Sequence, residues 1–238
     1  MAEVAGLLLT GGASRRMGSD KATLVVGGER LVDRAARVLS AVCHPVLEVG
    51  PGVSPLVAVR EDPPGAGPLA AFVAGCHALA ERGHHGSVLL LAVDLPAVTV
   101  PLLELLARWD GDGTVVPVAG GRRQLCCARY GADARAVASR LLGAGERSLH
   151  ALAEGVPVDE VDESVWQAVA GPSALADVDT PEDLARLRRP EDPAGEGGRA
   201  PVIEYHEWPW GPRLGSTVTP CGRRSVSGSS GSGGPTSR

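Results

Sequence analysis

Apolar positions along the chain follow two alternating rhythms. Residues 4–9 form a short, unbroken apolar run that ends in Gly11-Gly12, the pattern of a buried strand feeding a glycine loop. Over 31–42 the spacing changes: Leu31, Ala35, Val38, Leu39 and Val42 fall on one helical face, with Arg and Asp between them. Residues 45–49 and 56–59 are candidate strands. Ala-rich residues 69–79 predict a helix opened by Pro68, a residue favoured in the first turn. The most apolar run, 88–93 (VLLLAV), predicts a central parallel strand that ends at Asp94. Further on, 102–107 suits a helix, 114–118 and 124–129 an antiparallel pair, 133–142 and 148–153 two helices, and 183–187 a closing helix. Strands alternating with helices predict an α/β fold, a mainly parallel sheet covered by helices. Ligands of such sheets bind at the carboxyl ends of the strands, so the chemistry is sought there.

Composition adds a boundary. In 190–238 about half the residues are Gly, Pro or Ser, and the end reads SVSGSSGSGGPTSR. A segment so poor in apolar residues cannot offset the entropy of ordering, which predicts a flexible tail after a folded unit of 1–189. Its one apolar patch is 203–210 (IEYHEWPW). The 238 residues suit one domain with spare length. The net charge of −5 belongs entirely to 1–189 and offers no basic face to nucleic acid. No apolar run reaches the ~18–20 residues of a membrane span, and Glu3 stands where a signal peptide carries positive charge. A cytoplasmic protein is the expectation. The five cysteines (43, 76, 126, 127 and 221) form neither a disulfide framework nor a C-x-x-C pair. Cys43-His44 and Cys76-His77 lie in or beside apolar stretches, where buried thiols are expected rather than metal ligands.

The loop after the first strand, Leu9-Thr10-Gly11-Gly12-Ala13-Ser14-Arg15-Arg16-Met17-Gly18-Ser19-Asp20-Lys21, is neither a P-loop nor the G-x-G-x-x-G dinucleotide fingerprint. It carries the parts of a phosphate cradle nonetheless. Two glycines let the backbone approach a ligand and supply N–H donors. Arg15 and Arg16 offer forked donors to phosphate oxygens, and Lys21 a compact charge. All but one of the 23 basic residues are arginine, and the exception is Lys21. A lysine kept in such a loop points to a place where a planar guanidinium does not substitute. A glycine turn with surface arginines is the alternative.

LLLTGGASRRMGSDKA resembles the signature L-x-G-G-x-S-x-R-M-G-x-D-K-A of the nucleotidyltransferases that act on the molybdenum cofactor, and within them the guanylyltransferases most. The resemblance continues through Glu61-Asp62, Gly67-Pro68-Leu69, Val93-Asp94-Leu95-Pro96, Gly145-Glu146-Arg147 and Asp177-Val178-Asp179-Thr180-Pro181. It implies a three-layer α/β/α sandwich of the nucleotide-diphospho-sugar transferase type. The implied reaction is transfer of GMP from GTP to the terminal phosphate of molybdopterin, or of its molybdenum form, with release of pyrophosphate. By the same resemblance, Leu9, Thr10, Gly11 and Gly12 bind the nucleotide together with Asp62. Lys21, Arg15 and Arg16 neutralise phosphate charge in the transition state. Asp94 contacts the nucleotide and holds Mg²⁺, which takes one or two carboxylates and leaves its other positions to phosphate and water. On residues alone, Asp94 could instead open a helix, and Asp62 could serve a turn before Pro63-Pro64.

Gln124, Asp177 and Asp179 fall on the acceptor side, although Asp177 and Asp179 stand where relatives often carry Asn, and 177–183 also reads as a helix cap. Val49-Gly50 replaces an Asn of many guanylyltransferases, and Leu125 follows Gln124 where they often have Pro. Implied partners are GTP, molybdopterin or Mo-molybdopterin, and client molybdoenzymes or cofactor chaperones. Three other readings stand beside this one: a cytidylyltransferase of the same superfamily, a nucleotidyltransferase for a phosphosugar or phospho-acid, and a nucleotide-binding adaptor that docks through 203–210. The second glycine of Thr10-Gly11-Gly12 is the guanine-type signature.

Overall fold

The computed structural model describes residues 3–11, 21–26 and 28–178. The boundary expected at 189, the tail 190–238 and the closing helix at 183–187 lie outside them.

Strand β1 (Ala5–Leu9) is completely buried, as its apolar run predicts. After it come a 3-10 turn at Lys21–Thr23, the small hairpin β2 (Val25–Val26) and β3 (Glu29–Arg30), and helix α1 (Leu31–Ser40). The chain continues through β4 (Val46–Val49), β5 (Val57–Val59), α2 (Pro68–Glu81), β6 (Val88–Ala92) and α3 (Val100–Ala107). Its second half holds β7 (Thr114–Ala119), β8 (Arg122–Arg123), β9 (Cys127–Tyr130), α4 (Ala134–Gly143), α5 (Leu149–Glu154), β10 (Val158–Val161) and α6 (Glu163–Ala170).

The main sheet runs β10-β7-β9-β6-β1-β4-β5, with β8 attached to β7. Strands β5, β4, β1 and β6 are mutually parallel, and β10 is parallel to β7. Strand β9 runs against both its neighbours, β6 and β7. The antiparallel pair expected from 114–118 and 124–129 is therefore present, shortened on its second strand.

Because side chains alternate across a strand, β1 feeds two cores. Ala5, Leu7 and Leu9 meet α2, α4 and α5 on one face, where the Phe72 and Tyr130 rings lie 4.9 Å apart. Leu8 faces α1, α3 and α6 on the other. This is the three-layer α/β/α sandwich, with a mainly parallel sheet. Helix α1 keeps a polar outer face, on which Arg30 pairs with Asp33 and Arg37 with Glu29. Helix α2 is buried nearly all round, from Leu69 to Leu79, packed on the sheet and against α4 and α5. Among the described residues no helix is long and apolar enough to cross a membrane.

Cys43 and Cys76 are 3% exposed, and burial pushes both thiols up to about 12. They are packed core thiols, as their apolar settings predict.

Candidate active site

Four parallel strands deliver their carboxyl ends to one edge of the sheet. There the backbone continues the ladder past the strands: Thr10 N–H donates to Val49 O (3.1 Å), Gly50 N–H to Val59 O (2.9 Å), and Val93 N–H to Leu9 O (3.0 Å). These bonds fix the Leu9–Gly11 segment between Gly50 and Val93-Asp94. Leu9 and Thr10 are buried, and Gly11 is exposed. Gly12, Arg15 and Arg16 lie outside the described residues. Lys21 opens the 3-10 turn, and its side chain lies outside them as well.

Asp94 is half-buried in the turn directly after β6. Helix α3 begins only at Val100, with Thr99 as its cap. The helix-opening reading of Asp94 is thereby excluded, and a strand-end carboxylate remains. Its carbonyl oxygen accepts from Val178 N–H at 2.9 Å, which brings the 177–178 segment to the same edge. Asp62 is exposed just beyond β5. In that turn it is Glu61 that closes the chain, since its carboxylate accepts from Gly65 N–H at 2.9 Å. Gly67 (φ +103°) precedes Pro68 because a Cβ there would meet Arg147 O at 3.0 Å. The Gly145-Glu146-Arg147 segment is thus packed against the start of α2, where Leu69 N–H donates to Arg147 O.

Gln124 and Asp177, far apart in sequence, line one cavity of about 710 Å³ together with Arg122, Arg123, His150 and Glu160. The hairpin that brings Arg122 there turns through Gly120 and Gly121 at φ +56° and +71°, a two-residue turn that only such residues make easily. Three contacts anchor it. Gly120 N–H donates to Glu163 (2.7 Å), Arg123 pairs with Glu160 (2.7 Å), and Trp166 Nε1–H donates to Val118 O (2.7 Å). Tyr130 Oη–H reaches Leu125 O at 2.8 Å and pins the segment after Gln124. Asp179 lies outside the described residues. Among those described, no group of three or more His, Cys, Asp or Glu is placed to hold a metal. Among the described residues at the strand ends, Asp94 offers a hard carboxylate oxygen, the donor type that suits a divalent cation.

One residue at this edge escaped the sequence reading. Glu48, in β4, is 0% exposed. Its carboxylate accepts from the Thr10 hydroxyl (2.6 Å) and from the N–H groups of Gly52 (2.8 Å), Val53 (3.0 Å) and Ser54 (2.8 Å). The available signal was a single acid inside a four-residue apolar strand, VLEV. Burial pushes the carboxyl up, but bonds from Ser54, Thr10 and Val53 outweigh it and hold Glu48 at about 2. A carboxyl depressed in the folded state stabilises fully above its ordinary range, near 4.5, and loses that contribution as pH falls towards 2. The Tm difference between wild type and Glu48→Gln is therefore expected to be constant from pH 7 to 5 and to narrow below pH 4.5. A constant difference down to pH 2.5 would contradict the depressed carboxyl.

A mainly parallel sandwich with a glycine loop after its first strand and an acid after its central one defines a nucleotide-handling α/β protein. The family model of the MobA-like NTP transferase domain matches residues 6–160, and the chain belongs to that family. It is a nucleotidyltransferase. A probable molybdenum cofactor guanylyltransferase of Mycobacterium marinum is 34% identical over 196 residues, covering 79% of this chain and 94% of that one. Its namesake from Mycobacterium tuberculosis H37Rv is 40% identical over 160 residues, covering 63% and 79%. Among solved structures, molybdopterin-guanine dinucleotide biosynthesis protein A of Archaeoglobus fulgidus shares the fold at a TM-score of 0.66 and 20% identity, over 78% of this chain and 97% of that one. The 2-C-methyl-D-erythritol 4-phosphate cytidylyltransferase of Thermus thermophilus shares it at 0.54 and 21%, over 79% and 98%.

Proposed function

We propose that this chain is a molybdenum cofactor guanylyltransferase: it transfers GMP from GTP to the terminal phosphate of molybdopterin, or of its molybdenum-bearing form. An oxygen of the acceptor phosphate attacks the α-phosphorus of GTP. The bond to the β-phosphate bridging oxygen breaks, and pyrophosphate leaves. The observation that carries this reading is the adjacency of two compartments. The Leu9–Gly11 and Asp94 edge stands beside the cavity lined by Gln124 and Asp177, and the Val178–Asp94 backbone bond ties the two together.

In this reading the Leu9, Thr10 and Gly11 backbone holds the guanine and ribose end, with Gly12 and Asp62 completing the nucleotide contacts. Lys21, Arg15 and Arg16 neutralise charge on the phosphates. Arg122, Gln124, His150, Asp177 and Asp179 meet the acceptor, with Arg122 the cation nearest in kind to its phosphate. Asp94 would hold Mg²⁺, which when bound lowers the charge repulsion between the two anionic substrates. Phosphoryl chemistry of this kind depends on positioning and charge neutralisation, so no protein nucleophile is required. Because 1–189 carries the net negative charge, attraction of anionic substrates is local to these groups.

The test follows pyrophosphate release with Mg²⁺, molybdopterin and each of GTP, CTP, ATP and UTP. GTP is expected to be used at least about tenfold faster than the other three. Faster use of CTP would replace the guanylyl assignment with the cytidylyl one. No release with any nucleotide would overturn the enzyme.

A further inference from the structure

Two charged side chains among the described residues are almost wholly enclosed, Glu48 and Arg129. Arg129 is fully accounted for by backbone carbonyls at the opposite edge of the sheet. Glu48 is not explained by strand packing. Its strand neighbours Leu47 and Val49 fill their places as plain apolar groups, and a buried carboxylate is costly unless saturated with donors.

Its donors come from two separate segments that flank the nucleotide end. The Thr10 hydroxyl reaches it from the end of β1, and the Gly52, Val53 and Ser54 N–H groups reach it from the turn after β4. Ser54 Oγ in turn accepts from Leu56 N–H at 3.2 Å, which closes that turn on itself. Gly50 stands between the two segments without a side chain. A Cβ there would fall on the Thr10 hydroxyl and lie 2.9 Å from Gly11 N. The Thr10 hydroxyl therefore occupies the space that a side chain at position 50 would need, and Glu48 holds it there. An ionised carboxylate only accepts, so the single Thr10 proton is committed to Glu48 and the remaining lone pairs of that hydroxyl can only accept.

We propose that Glu48 is a positioning residue for nucleotide selection: by clamping Thr10 and the 52–54 turn into one rigid unit, it sets the placement of the Leu9–Gly11 backbone against the base. The inference rests on the proposed reading that this segment binds the nucleotide. Recognition through backbone groups tolerates little displacement, and rigid support behind them is what supplies the accuracy. Glutamine in place of Glu48 cannot reproduce the unit. Its one carbonyl oxygen can serve Thr10, Gly52 and Val53, but its amide then faces Ser54 N–H, donor against donor.

The experiment uses the full chain with Mg²⁺ and titrates GTP, CTP, ATP and UTP by calorimetry, alongside kcat and KM with molybdopterin, for wild type, Glu48→Gln, Thr10→Val and Thr10→Ser. In Glu48→Gln, affinity for the preferred nucleotide is expected to fall about tenfold or more, equivalent to about 1.4 kcal/mol. Discrimination against the next nucleotide should fall with it, while kcat at saturation changes much less. Thr10→Val should show a loss of about three- to tenfold, the scale of one ordinary hydrogen bond, and Thr10→Ser should recover most of it. A lowered Tm with unchanged affinity and unchanged discrimination in the folded variants would reduce Glu48 to a structural residue and overturn the proposal. If Glu48→Gln does not fold, Thr10→Val decides, because it removes one hydroxyl and leaves the three N–H donors in place. Should the wild type prefer CTP, the guanylyl reading falls, and Glu48 is judged on CTP binding by the same criteria. A wild type that binds none of the four nucleotides overturns both.

Discussion

Replacing Asp94 by Ala is expected to lower the rate of pyrophosphate release by about a thousandfold or more, the scale on which loss of a charge-organising group at a phosphoryl site acts. The fold should hardly notice. Two backbone bonds hold this position: Val93 N–H to Leu9 O, and Val178 N–H to Asp94 O. The alanine variant keeps both, so its Tm should stay within about 2–4 °C of wild type, the change for about 1 kcal/mol in a protein of this size. Asp94→Asn sharpens the test, since it preserves shape and removes only charge. Both variants should be equally impaired, and excess Mg²⁺ should restore little. Near-wild-type turnover in either, measured on folded protein, would remove Asp94 from the site and leave the metal without its strand-end ligand.

The largest stability effect is expected far from that edge. Arg129 lies in β9 beside the start of β6, paired in register with Leu89. It is 3% exposed, and its guanidinium donates to Gly113 O (3.3 Å), Ala107 O (3.2 Å), Trp109 O (2.9 Å) and Gly111 O (2.8 Å). One side chain thereby satisfies the last carbonyl of α3 and three carbonyls of the connection into β7. Arg129→Met keeps much of the length and the apolar stem but withdraws every donor. Buried carbonyls left without partners cost about 1–3 kcal/mol each before water relieves some of them. A net loss of about 3–5 kcal/mol is therefore expected, with Tm lowered by about 10 °C or more. Nucleotide affinity measured well below the transition should be unchanged, because the affected loop is at the opposite end of the strands. Unfolding at the wild-type temperature would show that solvent replaces the guanidinium without cost.

How much of this was legible beforehand depended on whether a feature was local. The 88–93 run announced a central strand because short apolar segments bounded by turns have few other uses, and Asp94 follows directly after it. The helix at 69–79 was visible through alanine and Pro68, and the loop Leu9–Lys21 through its glycines and its lysine. The far edge was less readable. Strand β10, with two exposed acids in Val158–Val161, has no apolar run to betray it, and α6 buries chiefly Trp166. Glu48 was hidden for a different reason. Nothing in VLEV says that Thr10 and residues 52–54 will converge on its acid, since those partners are assembled only by the parallel pairing of β1 and β4. Likewise Gln124 and Asp177 could be placed on one side of the protein but not in one cavity until the hairpin through Gly120-Gly121 was built.

The reversal of β9 between β6 and β7 has a consequence for the acceptor side. It separates a contiguous parallel block, β5-β4-β1-β6, from an outlying pair, β7 and β10, that runs in the same direction as the block but shares no ladder with it. The block carries the segments assigned here to the nucleotide, and the outlying pair with its hairpin carries most of the cavity wall assigned to the acceptor. Exchanges at the exposed residues 120–123 touch none of the parallel registers of the first block. On the proposed reading, that makes the hairpin the natural target for redesigning the acceptor side.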